Sequence, residues 1–397
     1  MKEQDFLDFV RHGITEGQTR LAGLLRSLVR DSDQELAEGL ESVEDRVFLE
    51  PMLCAFFHAN SPRIPLQQIL YASVPEDRRP DCVTVAADRH GTVYIPNLGY
   101  FFTRQTNKRM DLHWNGSARA AELHSQGRSV PSSFRNVSRI NGTQIEVYQT
   151  LPQLLEPFFV DPTGSPVRVE LVSIAAAKRE YLENACLILR EHYVHYFKNI
   201  LDTIRGVLIY SAPHPYSFAT MGAHGVAFLN SRPDSMSVFF LEDMLHQCSH
   251  VIFNAATLDK SRLFEVDPDT PLSSLSALDD YHGTLYEAFH GLFTQTNINR
   301  CLNICREAEV FSGRDRHELE GRISDNMKRF GGAIHAIGQR DFYTELGWQL
   351  YDYFRNTFVF LYRLQRELIE QYDTSNQPYI FNYGRFLEKN PLPKEVL

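Results

Sequence analysis

Two histidines four residues apart, His246 and His250, are the residues whose type and spacing best suit chemistry in this sequence. They lie in the segment HQCSH, within an apolar stretch whose periodicity predicts a helix. Residues four apart share one face of a helix, so both imidazoles can reach one metal ion. Because a chain with 15 histidines also forms such pairs by chance, the neighbouring residues must support the interpretation. With that support, the pair predicts a metal site.

The residue between them, Gln247, indicates which chemistry the metal would serve. In zinc peptidases with the HExxH motif, the glutamate at this position is the general base that activates the metal-bound water. A glutamine cannot accept that proton. An iron-dependent oxygenase instead needs three protein ligands on one side of the metal and open positions for 2-oxoglutarate and dioxygen. We therefore predict Fe(II)-dependent oxidation, with Gln247 as a hydrogen-bond donor that orients a ligand or the cosubstrate.

Residues on either side of the pair carry a resemblance to a known family. The runs HGVAFLNSRPDSMSVFFLEDMLHQCSHVIFNAAT and YEAFHGLFTQTNINR resemble the HExxH-motif peptide-modification family of bacterial natural-product clusters, whose members act as iron- and 2-oxoglutarate-dependent hydroxylases. The shared pattern includes an asparagine four residues beyond the second histidine, here Asn254, and a downstream His-Gly, here His290-Gly291. The similarity covers residues 206–305. The departure is Gln247 in place of the family's glutamate.

The resemblance implies a set of three metal ligands. His246, His250 and His290 would bind Fe(II), with His290 supplied by a second helix. Glu287 is the alternative third ligand, because it lies three residues earlier on the same predicted helix and would complete a two-histidine, one-carboxylate set. The family's His-Gly favours His290.

The resemblance also implies residues that act beside the metal. Asn254 would support catalysis, and Arg300, which matches an arginine of the family, would bind the distal carboxylate of 2-oxoglutarate. The supporting role of Gln247 follows from its chemistry beside the metal and not from the resemblance, since the family has glutamate there. Arg300 is ten residues beyond His290, about 15 Å along a helix, so Arg355 and Arg363 are alternatives.

These residues together predict a non-haem iron, 2-oxoglutarate-dependent oxygenase, and the resemblance implies a role in natural-product biosynthesis. Its substrate would be an amino acid, free or within a peptide, and hydroxylation the default outcome, with desaturation and cyclisation as variants. One alternative is a zinc-dependent metallohydrolase with a displaced general base, such as Glu242 or Glu287. Another is a non-catalytic binding module with a degenerate motif.

The composition restricts partners and compartment. The chain has 397 residues, a net charge of −10 and a pI near 5.8, and its basic residues are scattered, which argues against nucleic-acid or anionic-membrane partners. No signal peptide and no apolar run of membrane-spanning length is visible. Six cysteines without CxxC spacing predict reduced thiols in a cytoplasmic protein. The oligomeric state stays open.

Hydrophobic periodicity predicts an α+β protein with two domains. Residues 1–170 would form a helical and β-hairpin domain, with hairpins at 82–96 and 137–148 and a loop or mobile lid at 104–135.

Residues 171–397 would form a mostly helical metal-binding domain. In it, strands at 206–212 and 225–231 precede the helix of the histidine pair, about 236–257, which Pro233-Asp234-Ser235 would cap. Further helices are expected near 175–204, 279–306, 314–337 and 344–371.

Overall fold

The structure is a computed structural model that describes residues 1–59, 62–115, 120–275 and 283–392. These residues are 55% helical and 15% strand, with small sheets and a helical C-terminal part, which confirms the predicted α+β class. The α-helices are α1 (Glu3–Ser32), α2 (Gln34–Gly39), α3 (Pro51–His58), α4 (Leu66–Leu70), α5 (Val172–His192), α6 (Val194–Thr203), α7 (Ser237–Ala256), α8 (Leu272–Leu275), α9 (Leu285–Glu307), α10 (Gly313–Ala336), α11 (Glu345–Gln371) and α12 (Tyr383–Lys389).

The strands are short and form three sheets. They are β1 (Cys82–Ala86), β2 (Thr92–Ile95), β3 (Gly99–Thr103), β4 (Arg109–Asn115), β5 (Ala120–Ser125), β6 (Arg128–Val130), β7 (Ser132–Asn136), β8 (Glu146–Val147), β9 (Gly206–Tyr210) and β10 (Val226–Asn230). Two sheets are antiparallel, with strand orders β1-β4-β5-β6 and β2-β3-β7. The third, β10-β9-β8, is parallel.

The chain forms two compact units that interleave along the sequence. The helical unit consists of Met1–Gly17, Lys178–Asp202 and Pro233–Leu397. The sheet unit consists of Gln18–Ala177 and Thr203–Arg232. The boundary expected between residues 170 and 171 divides the chain only once. The strands β9 and β10, assigned by sequence to the metal-binding domain, cluster instead with the sheet unit.

The sheet unit corrects two predictions about residues 82–135. The turn at His90-Gly91 forms, with a 2.9 Å hydrogen bond from the Asp88 amide to the Thr92 carbonyl, but the flanking strands diverge. Strand β1 pairs with β4 and β2 pairs with β3, so the predicted 82–96 hairpin is wrong. The predicted loop at 104–135 is also wrong outside residues 116–119, which the structure does not describe, since it contains β4, β5, β6 and β7 up to residue 135. Its polar residues alternate with buried ones such as Met110 and Leu112, as in a sheet with one face exposed to solvent.

The second predicted hairpin is present as a turn. The Ile140 amide donates to the Ile145 carbonyl at 2.9 Å, and Gly142 has a φ of 72°, a conformation that glycine adopts without strain. The strand that follows, β8, lies parallel to β9.

In the helical unit the predicted helices form with small changes of boundary, and residues 279–282, where the predicted 279–306 helix begins, lie outside the described residues. Helix α7 starts and ends within one residue of the prediction, whereas the predicted 175–204 helix is divided at Tyr193 into α5 and α6. The predicted cap is wrong, because the residue at the N-cap is Met236, whose side chain makes no capping bond. The Lys178 ammonium holds the preceding loop instead, donating to the carbonyls of Pro233 at 2.8 Å and Ser235 at 2.7 Å.

Helix α9 packs against α7, α10 and α11, so α7 and α9 form the centre of this unit. Among the described residues, no helix combines the length and the apolar composition that a membrane crossing requires.

Candidate metal centre

Helix α7 carries one polar stripe on an otherwise buried surface. Every residue of α7 is buried except Glu242, His246, His250 and Asn254, which are partly exposed. Their four-residue spacing places them on one face of the helix. We call these four residues the polar stripe. The packing of α7 therefore leaves accessible the side of the helix that carries both histidines of the HQCSH segment.

Helix α9 brings the third histidine to the middle of the stripe. His250 lies beside His290, with 4.6 Å between ring centroids and 3.1 Å between His250 Nδ1 and His290 Nε2. His246 lies beside His250 at a centroid distance of 5.0 Å. Phe253 of α7 stacks with Phe293 of α9 at 4.7 Å and fixes the two helices against each other. The structure thus gathers the three predicted ligands into one histidine cluster.

One distance in the histidine cluster is close to the spacing of two ligands in a metal site. Two nitrogens about 2.1 Å from one ion and at a right angle are about 3 Å apart, close to the spacing observed between His250 and His290. However, in the ranges that the structure describes, no three histidine, cysteine or carboxylate side chains are already placed to hold one ion. Closure around a metal therefore requires a rotation of at least one imidazole. The donor set suits Fe(II) or Zn²⁺, both of which accept imidazole ligands.

The cluster holds its histidines in the neutral form that binds metals. Burial lowers the pKa of all three, and it lowers that of His290 to about 3. The pKa of His250 is further lowered by the neighbouring His290 and His246 rings. Around pH 7 the three rings are therefore uncharged, and in the His250–His290 contact one ring nitrogen donates a hydrogen bond to the other, which a bound metal ion would replace.

Asn254, at one end of the stripe, acts through Tyr286. The Tyr286 hydroxyl donates to Asn254 Oδ1 at 3.1 Å and lies 2.8 Å from the hydroxyl of Thr257. The Tyr286 ring in turn meets the His290 ring edge to face, with 5.6 Å between centroids. Asn254 is therefore hydrogen-bonded to a tyrosine whose ring packs against the imidazole of His290.

Gln247 does not lie on the stripe. It is 2% exposed, and its Nε2 donates to Asp243 Oδ1 at 3.2 Å within the core. Its Oε1 is buried without a hydrogen-bond partner among the described residues. The expected donor to a metal ligand or cosubstrate is thus directed to Asp243, because a residue next to His246 points about 100° away around the helix.

Glu287, the alternative third ligand, has another function in the structure. Its carboxylate accepts from the Thr284 amide at 2.8 Å, while its own amide donates to the Thr284 hydroxyl at 3.2 Å. This reciprocal capping box fixes the start of α9. Among the two candidates, only His290 lies beside His250.

Arg300, the expected 2-oxoglutarate ligand, is engaged at the other end of α9. Its guanidinium binds the Glu3 carboxylate and the Tyr353 hydroxyl. Its alternatives are on α11, where Arg355 forms an ion pair with Asp352 at 2.5 Å and Arg363 is exposed. None of these three arginines has a contact with the polar stripe in the described structure.

Two cations that the sequence did not single out border the stripe. Arg322 of α10 donates to Glu242 at 2.7 Å and also binds Glu318 at 2.7 Å. At the other end, the Lys260 ammonium lies 4.3 Å from the centre of the Tyr286 ring and 2.8 Å from Asp269. The four-residue spacing of Glu318 and Arg322 was a weak signal in the sequence for their ion pair. The contact of Arg322 with Glu242 joins residues 80 positions apart, so no local pattern in the sequence predicts it.

Comparison with known proteins gives no family for the chain, since no protein-family model and no curated protein matches it.

Proposed function

We propose that the protein is a non-haem iron, 2-oxoglutarate-dependent oxygenase in which His246, His250 and His290 hold Fe(II). The supporting observation is the approach of three neutral imidazoles from two packed helices, with 3.1 Å between the nearest nitrogens of His250 and His290. The imidazole rings of such a cluster are uncharged, so the cluster can bind a cation without charge repulsion. Bound Fe(II) would supply the oxidation of the substrate by dioxygen, coupled to the conversion of 2-oxoglutarate to succinate and CO₂.

The residues of the stripe would position these groups. The Asn254–Tyr286 hydrogen bond would hold the Tyr286 ring against His290. Arg322 and Lys260 are the cations at the two ends of the polar stripe, and the carboxylates of 2-oxoglutarate would have to compete for them with Glu242, Glu318 and Asp269. Arg300 is the weaker candidate for this role because it has no contact with the polar stripe in the described structure. The substrate is an amino acid, free or within a peptide, in natural-product biosynthesis, and hydroxylation is the default outcome. All six cysteines are free thiols, which supports a reducing, cytoplasmic location.

The test combines metal analysis with an assay of succinate release. Wild-type protein loaded anaerobically with Fe(II) should bind one ion per chain and release succinate from 2-oxoglutarate in air. His250→Ala should lose both properties. His195→Ala is the matched control, because His195 is an exposed histidine in the helical unit. Succinate release that persists in His250→Ala would contradict the proposal, and a protein that binds no metal would leave a non-catalytic binding module.

A zinc-dependent hydrolase is the second candidate, because Glu242 lies on the stripe one turn before His246. Its two carboxylate oxygens accept hydrogen bonds from Arg322 at 2.7 Å and from Asn326 at 2.9 Å. These bonds orient the carboxylate, but they also engage both oxygens that a general base would use. Peptide hydrolysis with Zn²⁺, no succinate, and loss of hydrolysis in Glu242→Gln would establish this alternative.

A further inference from the structure

The sheet unit contains a cavity of about 420 Å³ that has no part in the proposed metal chemistry. Small-molecule sites typically enclose roughly 300–1,000 Å³, so the space suits a compact metabolite. Its wall combines charged groups of both signs, Arg63, Arg89 and Glu156, with the amide of Gln153. A ligand with both charges could therefore present its negative group to the arginines and its positive group to Glu156.

The two arginines supply the anion-binding side. Arg89 contacts Glu156 Oε1 at 3.4 Å and His90 at 3.1 Å, and both contacts use Nε rather than the terminal nitrogens. Its side chain is 61% exposed, so these contacts do not enclose it. Arg63 lies close enough to Glu156 to lower the pKa of that carboxyl group. A carboxylate can accept from guanidinium groups in a planar, two-point arrangement.

Glu156 supplies the cation-binding side. Burial raises the pKa of Glu156 and outweighs the opposing effect of Arg89, so its two arginine neighbours leave the carboxylate incompletely compensated. An ammonium group has three donors and could bind this carboxylate from the cavity.

We propose that this cavity binds a free α-amino acid as its zwitterion, with the carboxylate on Arg63 and Arg89 and the ammonium on Glu156. The remaining wall includes Ile64, Leu154 and Pro157, which favour an apolar side chain on the ligand. The cavity is a binding site separate from the histidine cluster, and the proposal stands whether or not the metal centre is an oxygenase.

The first test is calorimetric titration of the full-length protein with L-leucine, L-methionine and L-phenylalanine. At least one should bind saturably. Its N-acetyl derivative, which lacks the ammonium, and its α-amide, which lacks the carboxylate, should each bind at least about tenfold more weakly. Absence of binding by all three amino acids, or equal affinity for acetate, would overturn the proposal.

The second test assigns each half of the ligand to its residues. Arg89→Gln should lower the affinity for the amino acid about tenfold and reduce the preference for it over its α-amide. Glu156→Gln should instead reduce the preference over the N-acetyl derivative. Arg46→Gln is the control, because Arg46 is exposed and pairs with Glu44 in the same unit.

Unchanged affinity and unchanged preferences in both cavity variants would overturn the assignment. Thermal unfolding without ligand identifies a variant that is misfolded. If Arg89→Gln is misfolded, Arg89→Lys replaces it, because lysine keeps the charge but lacks the planar guanidinium, and it should show the same reduced preference for the amino acid over its α-amide.

Discussion

The two units each bury a cluster of titratable side chains, and the clusters differ in the partners that their polar atoms have. In the sheet unit, Glu146 accepts hydrogen bonds from the Tyr94 hydroxyl at 2.9 Å and the Tyr100 hydroxyl at 2.6 Å. In the helical unit, His250 and His290 face each other with two ring nitrogens 3.1 Å apart. Burial disfavours the charged form in both, so it raises the pKa of Glu146 to about 7 and lowers that of His290 to about 3.

This contrast separates a structural cluster from a candidate binding site. Each carboxylate oxygen of Glu146 already has its donor, so the carboxylate–tyrosine cluster is complete without a ligand. The histidine cluster brings three neutral bases together on an accessible helix face, and a cation can use their lone pairs. Changes in the first cluster should therefore alter stability, and changes in the second should alter metal binding.

Removal of the Glu146 carboxylate should have the largest effect on stability. Glu146→Ala leaves two buried tyrosine hydroxyls without their acceptor, at a cost of about 1–3 kcal/mol each, so we expect a loss of about 4 kcal/mol. Urea unfolding followed by circular dichroism measures this. The control is Glu122→Ala, an exposed carboxylate of the same unit, with an expected change below about 0.5 kcal/mol. Equal losses in both variants would show that Glu146 is not a structural centre.

The pH dependence of stability should include a contribution from the same residue, alongside that of Glu50, whose pKa burial also raises to about 7. Glu146 has a pKa of about 7 in the folded protein against 4.5 for an unperturbed glutamate, so the folded state binds more protons between these values. Its contribution is fully present below pH 4.5 and is lost as the pH rises through 7, by about 3 kcal/mol.

Glu146→Gln cannot titrate and keeps an acceptor for a tyrosine hydroxyl. Its free energy of unfolding should fall less than that of wild type over this pH range. Parallel profiles for the two proteins would refute the assignment of the titration to Glu146.

Restoration of the HExxH motif should destabilise the helical unit. In Gln247→Glu the donor to Asp243 is replaced by a second carboxylate beside a residue that is only 8% exposed. We expect a loss of about 2 kcal/mol and no gain of zinc-dependent hydrolysis. Gln247→Leu, which also removes the unpaired Oε1, should be less destabilising. A stable Gln247→Glu variant with new peptidase activity would show that position 247 faces the metal.

Removal of the Glu287 carboxylate should have the smallest effect. Glu287→Ala breaks the capping box of α9, which we expect to cost about 1 kcal/mol in the free energy of unfolding. Metal affinity should stay at the wild-type value, because this carboxylate binds the Thr284 amide. A metal affinity that falls as far as in His290→Ala would instead identify Glu287 as a ligand.

Local patterns in the sequence predicted helix α7 to within one residue and placed His246 and His250 on one face. These features depend on contacts between residues a few positions apart. The pairing of β1 with β4 depends instead on long-range contacts, and the turn at His90-Gly91 gave a misleading local signal. Likewise, the Glu3 carboxylate that occupies Arg300 is 297 residues away in the sequence. The capping box of Thr284 and Glu287 was readable from the spacing and was missed.

The central claim is that three histidines hold one metal ion, and a Co(II) titration followed by visible absorption tests it most directly. Wild type should bind one equivalent and develop d–d bands. His246→Ala, His250→Ala and His290→Ala should each bind at least about 100-fold more weakly, since even loss of a residue that orients a ligand costs 10–100-fold. Glu287→Ala should titrate like wild type. Saturable binding of wild-type strength in the three histidine variants, or no binding by wild type, would contradict the account.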